Sequence, residues 1–379
     1  MSKNRFVLIT GVEFTNQGAF LMMRAAMQEV RERLGAVPVL DYRVGTAEER
    51  EAVGARTFVP VRLERVAGLP GIGPAMSTAT QWIHPRQLTA VLDASGYRYG
   101  DAWTSLDLNS SVLRYRRFAD LNIPVYVLPQ ALGPFEETRS VAVSILGTSR
   151  LVFARDPDSY RAIVDVAPAS ALDRLRQSPD FTGGVKGAEP VPSWAEAGNA
   201  PLVPNWNIAE RAQSVAARDQ YIQNLADLAV ELHRRGFAPY GLSHEGARDT
   251  RLLHEVRERV DEVDFPVVGG FNGLELKWII GRSGILVSGR YHALASALSQ
   301  DVPVVAHGWS HKYRWLLEEH GCASTLVDPY SPRGSQFAAL DTALSMDRAT
   351  ISAGADGYRE ANRRMWDSIS ADLEMVQTG

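Results

Sequence analysis

Cysteine is almost missing from this sequence: Cys322 is the only one among 379 residues. That excludes an internal disulfide and every metal site built from several thiolates. No stretch approaches the ~20 consecutive apolar residues of a membrane-spanning helix. The first residues also lack an apolar segment followed by a small-residue cleavage site, so a cytoplasmic location is expected, with peripheral membrane contact through a basic or aromatic surface left open. A basic excess is absent too: the net charge of -4 provides no field for a nucleic-acid partner. Internal repeats and low-complexity tracts do not occur, and no pattern specifies an oligomer. Charged residues at 22% and hydrophobic ones at 45% are ordinary for a globular protein, and the length implies two domains with a cleft between them.

What the sequence does contain is a regular β/α alternation. Arg5–Thr10 reads as a strand, Gly11–Gln17 as a polar loop and Gly18–Leu34 as an amphipathic helix, so Asn16 and Gly18 sit where backbone N–H groups can face a ligand. Val37–Leu40 is a second strand, and residues 54–88 carry too many breakers for regular structure beyond a short VPVRL strand. Ala90–Ser95 leads into a Gly-Tyr-Arg-Tyr-Gly loop whose Tyr97 suits stacking against a sugar. A helix over Ser105–Leu121 precedes the strand Ile123–Leu128, which ends in Pro129, Gln130 and Ala131. Leu151–Ala154 ends in Arg155 and Asp156 before a helix from Pro157 to Val166. Residues 167–201 are loop-rich, which sets a boundary between domains 1–195 and 196–379. A second β/α series then runs to a long final helix at about 356–376. His244 and Glu245 close one of its strands.

The most informative stretch is Gly284–Glu319. Ile285–Val287 is a short strand; Arg290, Tyr291 and His292 occupy the loop and the first turn of the next helix; Val302–Ala306 is the neighbouring strand; and His311 and Lys312 open another helix. Arg290 supplies a planar fork, His292 a titratable proton carrier and Lys312 a point charge, all at successive strand ends where open parallel sheets bind anions. Taken singly, each is as readily a surface or structural side chain. Their spacing points to a small, multiply charged anion.

These residues resemble the polysaccharide pyruvyl transferase family. The likeness runs through Asn16 and Gly18, LDASGY, PQALGPF, the Arg155–Asp156 strand end, SPDF at Ser178–Phe181, and above all the segment from Leu274 to Gly321. The family's Arg-x-His, VPV-type strand and following lysine are matched in order by Arg290, His292 and Lys312. Three positions depart from the family pattern: Ala19 stands for an acidic residue, Pro129-Gln130-Ala131 for Gly-Gln-Gly, and Tyr291 for leucine.

The resemblance implies two Rossmann-like α/β domains in a glycosyltransferase-B-like arrangement, with the C-terminal helix able to pack back on the first domain. It also implies transfer of pyruvate from phosphoenolpyruvate to a sugar or lipid-linked saccharide as a ketal, with the acceptor on the 1–195 side and the donor on the 196–379 side. Arg155, Arg290 and Lys312 then bind the donor's anionic groups, His292 moves protons, and Asn16, Gly18, Gln130, Tyr97 and His244 line the substrates. No metal or cofactor is chemically required. The nearest alternative is a nucleotide-sugar glycosyltransferase or epimerase of the same architecture, whose ribose grip Glu275 or Asp328 can supply. A sugar-binding relative without catalysis is the other.

Overall fold

The computed structural model describes residues 5–60, 82–103, 105–190, 199–261, 263–308 and 310–378. The chain divides into two compact units. The first comprises Met1–Phe14, Met22–Phe181 and Ala361–Gly379, the second Thr15–Leu21 and Thr182–Glu360. The units therefore part at Phe181 and Thr182, while the 195/196 boundary expected from the sequence lies outside the described residues.

In the first unit the strands are β1 (Phe6–Thr10), β2 (Val37–Asp41), β3 (Arg56–Phe58), β4 (Trp82–Ile83), β5 (Leu88–Asp93), β6 (Val125–Gln130), β7 (Leu151–Ala154) and β8 (Leu175–Gln177). They pair in parallel in the order β4-β3-β2-β1-β5-β6-β7-β8. The central strands are apolar along their whole length because both faces are covered, as the buried FVLIT and LVFA runs show. The helices are α1 (Gln17–Glu32, whose first residues belong to the second unit), α2 (Ala47–Ala52), α3 (Ser105–Asp120), α4 (Arg139–Thr148) and α5 (Pro157–Val164). Leu108, Val112 and Tyr115 of α3 join Val141, Ile145 and Leu146 of α4 over Val91, Val127 and Val152 of the sheet. Caps define the short helices: Thr46 and Glu49 form a capping box on α2, and Asp156 accepts from Ser159 N at 2.8 Å ahead of Pro157.

The second unit holds β9 (Ala200–Val203), α6 (Trp206–Glu210), α7 (Val215–Arg234), β10 (Pro239–Leu242), α8 (Ala247–Arg257), β11 (Val267–Val268), α9 (Gly273–Ile280), β12 (Leu286–Ser288), α10 (Tyr291–Leu298), β13 (Val304–His307), α11 (His311–Glu319), β14 (Leu326–Val327), α12 (Arg333–Ser345) and the start of α13 (Arg348–Thr378). Its parallel sheet runs β11-β10-β9-β12-β13-β14. Both sheets are thus parallel and helix-covered, the α/β class that the alternating pattern predicts. Each strand order reverses direction once, between β1 and β5 in the first unit and between β9 and β12 in the second. At such points the connections leave to opposite faces and a crevice opens beyond the strand ends.

Several elements escape the sequence pattern. Within the 54–88 segment, residues 61–81, which include most of VPVRL, lie outside the described residues, but its flanks carry the short strands β3 and β4. β8 lies inside the stretch read as loop, of which 191–198 are likewise outside. The final helix starts at Arg348, not Asp356: Asp347 caps it, accepting from Ala349 N at 2.9 Å. Gly354 in it is a close-approach site, since a Cβ there would come within 2.5 Å of the His320 Cα. The far half of α13 packs in the first unit as expected: Asn362 donates to Asp180 O (2.9 Å), Tyr126 Oη and Arg150 bind Asp372, and Trp366 meets Phe181 edge-on. No helix among the described residues is long and apolar enough to cross a membrane.

Candidate active site

The reversal between β9 and β12 is locked by side chains at the strand ends. Ser288 Oγ donates to Val203 O at 3.0 Å and accepts from Arg290 N at 2.9 Å. The Gly289 carbonyl accepts from Asn205 Nδ2 (2.9 Å) and from Tyr313 Oη (3.0 Å). A Cβ at Gly289 would sit 2.7 Å from Ile208 Cδ1 and 3.1 Å from Asn205 Cβ, so a side chain there would have to displace Ile208. These bonds fix the backbone from which Arg290 caps α10 and His292 begins its first turn.

Arg290 is buried, and its guanidinium is engaged on all three nitrogens. Nε and Nη2 bind Asp249 Oδ2 and Oδ1 at 3.0 and 2.5 Å, and Nη1 binds Glu245 Oε2. Asp249, fully buried, also accepts from Trp206 N and Glu245 N. Burial works against the Arg290 charge, but Asp249 and Glu245 outweigh it and hold the group more firmly protonated than usual. For Glu245 burial is the larger influence, and with the Asp249 charge it pushes the carboxyl above the usual carboxylate range against the pull of Arg290 and Asn16.

The start of α1 reaches the same cluster. Asn16 caps that helix, accepting from Ala19 N at 2.9 Å, and donates through Nδ2 to Glu245 Oε1 at 2.9 Å. Gly18 lies flat against His292: a Cβ there would sit 2.3 Å from Nδ1. His244, at the end of β10, is buried, and its pKa falls well below the ordinary value through burial first and then the positive Arg290 and His292. Its Nδ1 has no hydrogen-bond partner among the described residues. Tyr291 stands edge-on to His292 and Tyr313, and Lys312 Nζ lies 5.6 and 5.5 Å from the Tyr291 and Tyr313 ring centres.

The second unit therefore brings together Asn16, Gly18, His244, Arg290 and His292, with Lys312 joined through the two tyrosine rings. Arg155, Gln130 and Tyr97 belong to the first unit. Arg155 faces Asp180 at 3.7 Å, both buried; Gln130 is fully buried and accepts from Arg155 N at 2.8 Å; Tyr97 stands edge-on to Trp103. Sequence reasoning missed Asp249 and Asn205. The available signal was SHEGARD, an acid in the first turn of the helix after a strand, from which a carboxylate can reach an arginine at another strand end of the same sheet. Glu275 and Asp328 have other duties: Glu275 completes a capping box with Asn272 on α9, and Asp328 accepts from Tyr330 N at 2.9 Å. Chemically the cluster offers a neutral buried imidazole, a second imidazole beside it, a carboxyl shifted toward its protonated form and a lysine.

A sequence profile of the family described as polysaccharide pyruvyl transferase matches residues 16–311. No curated protein matches the chain. Among solved structures, MnaA of S. aureus with UDP is similar at a TM-score of 0.61 and 9% identity, covering 98% of this chain and 97% of the other. UDP-GlcNAc 2-epimerase from Neisseria meningitidis bound to UDP-GlcNAc gives 0.56 and 10%, covering 96% and 98%. The enzyme of that name from Rickettsia bellii gives 0.56 and 13%, covering 99% and 98%. Likeness at these identities establishes the fold alone: paired parallel sheets with alternating helices.

Proposed function

Because the chain belongs to the polysaccharide pyruvyl transferase family, we propose that it moves pyruvate from phosphoenolpyruvate onto two hydroxyls of a sugar in a polysaccharide precursor, as a ketal. One observation carries the assignment of the centre: His244, Glu245, Arg290 and His292 meet Asn16 and Gly18 at the β9/β12 reversal. The proposal rests on the second unit, and Arg155, Gln130 and Tyr97 carry no step of it.

The chemistry runs in balanced steps. A proton is added to the methylene carbon of phosphoenolpyruvate, leaving positive charge at the phosphate-bearing carbon. A sugar hydroxyl attacks that carbon and gives up its proton. Phosphate departs with its C–O electron pair, and a second hydroxyl closes the ring and loses its own proton, so one proton enters at carbon and two leave from oxygen. His292 is assigned the proton donated to carbon, and His244, neutral by burial, suits the first proton taken from the acceptor. Lys312 suits the phosphate as a compact charge. Arg290, held by Asp249 and Glu245, fixes the His292 turn and presents the positive face to the donor; a proton on Glu245 would loosen its hold on that guanidinium as an anion arrives. Phosphoenolpyruvate is an intracellular metabolite, so the reaction is assigned to the cytoplasm.

The test is phosphate release from phosphoenolpyruvate with a panel of glycosides, with mass spectrometry of the products. Release that requires a glycoside, together with a pyruvate-bearing product, is expected, and chelator should leave the rate unchanged. Epimerisation or glycosyl transfer from a nucleotide sugar, with phosphoenolpyruvate untouched, would replace this reading with the nucleotide-sugar alternative.

A further inference from the structure

A cavity of about 560 Å³ opens between α6, the start of α7 and α8, on residues to which the reaction above gives no role. Its volume lies within the range of small-ligand sites. The Trp206 indole forms part of the wall, and the Arg248 guanidinium lies over that ring at 4.0 Å. Arg251 stands one turn further along α8 and also lines the space. Arg218 is joined to Glu255 at 2.7 Å. Arg248 and Arg251, both exposed, have no carboxylate in salt-bridge distance among the described residues. Leu252 and Val215 supply apolar wall.

We infer that this cavity binds a diphosphate carrying a ring: the two guanidiniums take the phosphates and the Trp206–Arg248 stack takes the ring. Arginine forks match phosphate oxygens bidentately, and guanidinium or indole planes accept a flat or sugar ring face. Nucleotide sugars and prenyl-diphosphate-linked saccharides share this chemistry. The cavity is also coupled to the centre already described. Trp206 N donates to Asp249 Oδ1 at 3.2 Å, and Asp249 is the partner of Arg290. Arg248 is adjacent to Asp249 in α8, so a ligand on the stack bears on the carboxylate that positions Arg290. Given the pyruvyl transferase reading, on which this clause alone depends, the ligand is the activated end of the acceptor.

Calorimetric titration of the whole chain with inorganic pyrophosphate, a UDP-sugar and a farnesyl-diphosphate-linked saccharide tests the site, with phosphoenolpyruvate titrated in parallel. Pyrophosphate should bind, at least one organic diphosphate should bind more tightly, and saturating phosphoenolpyruvate should displace neither. In the Arg248→Ala/Arg251→Ala variant the diphosphates should weaken by roughly tenfold to a hundredfold, while phosphoenolpyruvate affinity, which also reports folding, stays within about twofold. The tighter of the two organic probes identifies the source. Unchanged affinity in the variant, displacement by phosphoenolpyruvate, or no binding by any diphosphate overturns the site; organic probes no tighter than pyrophosphate overturn the ring contact. If phosphoenolpyruvate itself fails to bind, the pyruvyl transferase reading falls while the diphosphate result stands on its own.

Discussion

Each sheet reverses once, and a buried carboxylate bears on each reversal, Asp93 from the end of β5 and Asp249 from α8 through Arg290, but the two carboxylates are answered differently. In the first unit Asp93 ends β5 and is saturated by neutral donors. Its Oδ2 accepts from Tyr99 Oη at 2.6 Å and from Tyr115 Oη, and its Oδ1 from Ser95 N at 2.9 Å and from Ser95 Oγ. Both phenols are held well above their ordinary pKa, first by burial and then by the Asp93 charge. Neither phenol gives up its proton near neutral pH, and the loop through Tyr99 is held by these bonds. In the second unit Asp249 is answered by a guanidinium, with Glu245, His244 and His292 around it. Seven of the eight histidines fall in the second unit, His84 being the exception. The first reversal is thus held by neutral donors, whereas the second gathers an ion pair and two imidazoles, the cluster to which the proton transfers are assigned above.

The largest expected effect falls on the second reversal. His292→Gln keeps the size and part of the hydrogen bonding of the side chain but removes the titratable group, so turnover should fall by about 10²–10⁴. Phosphoenolpyruvate affinity should change much less. Single-turnover rates and donor titration on the folded variant check this. A normal rate would remove His292 from the chemistry, and a loss confined to affinity would make it an anion ligand.

Much of this contrast was legible in the sequence, and the rest had physical reasons to stay hidden. The strand-end positions of Arg290, His292, Lys312 and His244 followed from apolar runs bounded by glycine, because a strand buried on both faces leaves a continuous hydrophobic signature. Asn16 and Gly18 followed from a loop between a strand and an amphipathic helix. What periodicity could not reveal was pairing across the fold. Asp249 lies 41 residues from Arg290, and a helix position reads the same whether its carboxylate meets solvent or an arginine. Arg155 and Arg290 both end strands, in different units, and that Arg155 faces Asp180 was likewise hidden from periodicity. α4 was overlooked because Val141, Val143, Ile145 and Gly147 lower helix propensity, and burial of Val141, Ala142, Ile145 and Leu146 overrides it.

A smaller effect, on stability, should appear with acid and should be confined to the second unit. His307 is fully buried, and burial, opposed by its bond to Gln336, lowers its pKa to about 4. The unfolded chain then binds more protons than the folded one between about pH 6.5 and 4. Stability from this group is present above the unfolded pKa and is lost as pH falls through that window, by about 3 kcal/mol for the full shift. His244 and His320, also lowered first by burial, act in the same direction, whereas Glu245, raised first by burial, opposes them above its ordinary range. Hydrogen exchange followed by mass spectrometry at pH 7 and pH 5 should show the second unit losing protection first, and His307→Gln should flatten its slope. Equal loss in both units would break the contrast.

The smallest effect tests the scaffold. Tyr115→Phe removes one of the hydroxyls on Asp93 and leaves those of Tyr99 and Ser95, so the carboxylate stays partly satisfied. A hydrogen bond to a buried charge normally contributes about 1.5–3 kcal/mol, and with the remaining donors in place the loss should be near the lower end, about 1–2 kcal/mol. Both rings stay buried, since Tyr99 and Tyr115 are almost inaccessible and packed 6.5 Å apart, so the cavity left by one oxygen adds little. Denaturant unfolding should report this cost, while turnover per folded molecule and its pH profile should match the unmodified protein. The discriminating result is the rate. If Tyr115→Phe slows turnover more than about tenfold in fully folded protein, Asp93 and its phenols take part in the chemistry, and the first reversal is a second reactive centre and not a scaffold.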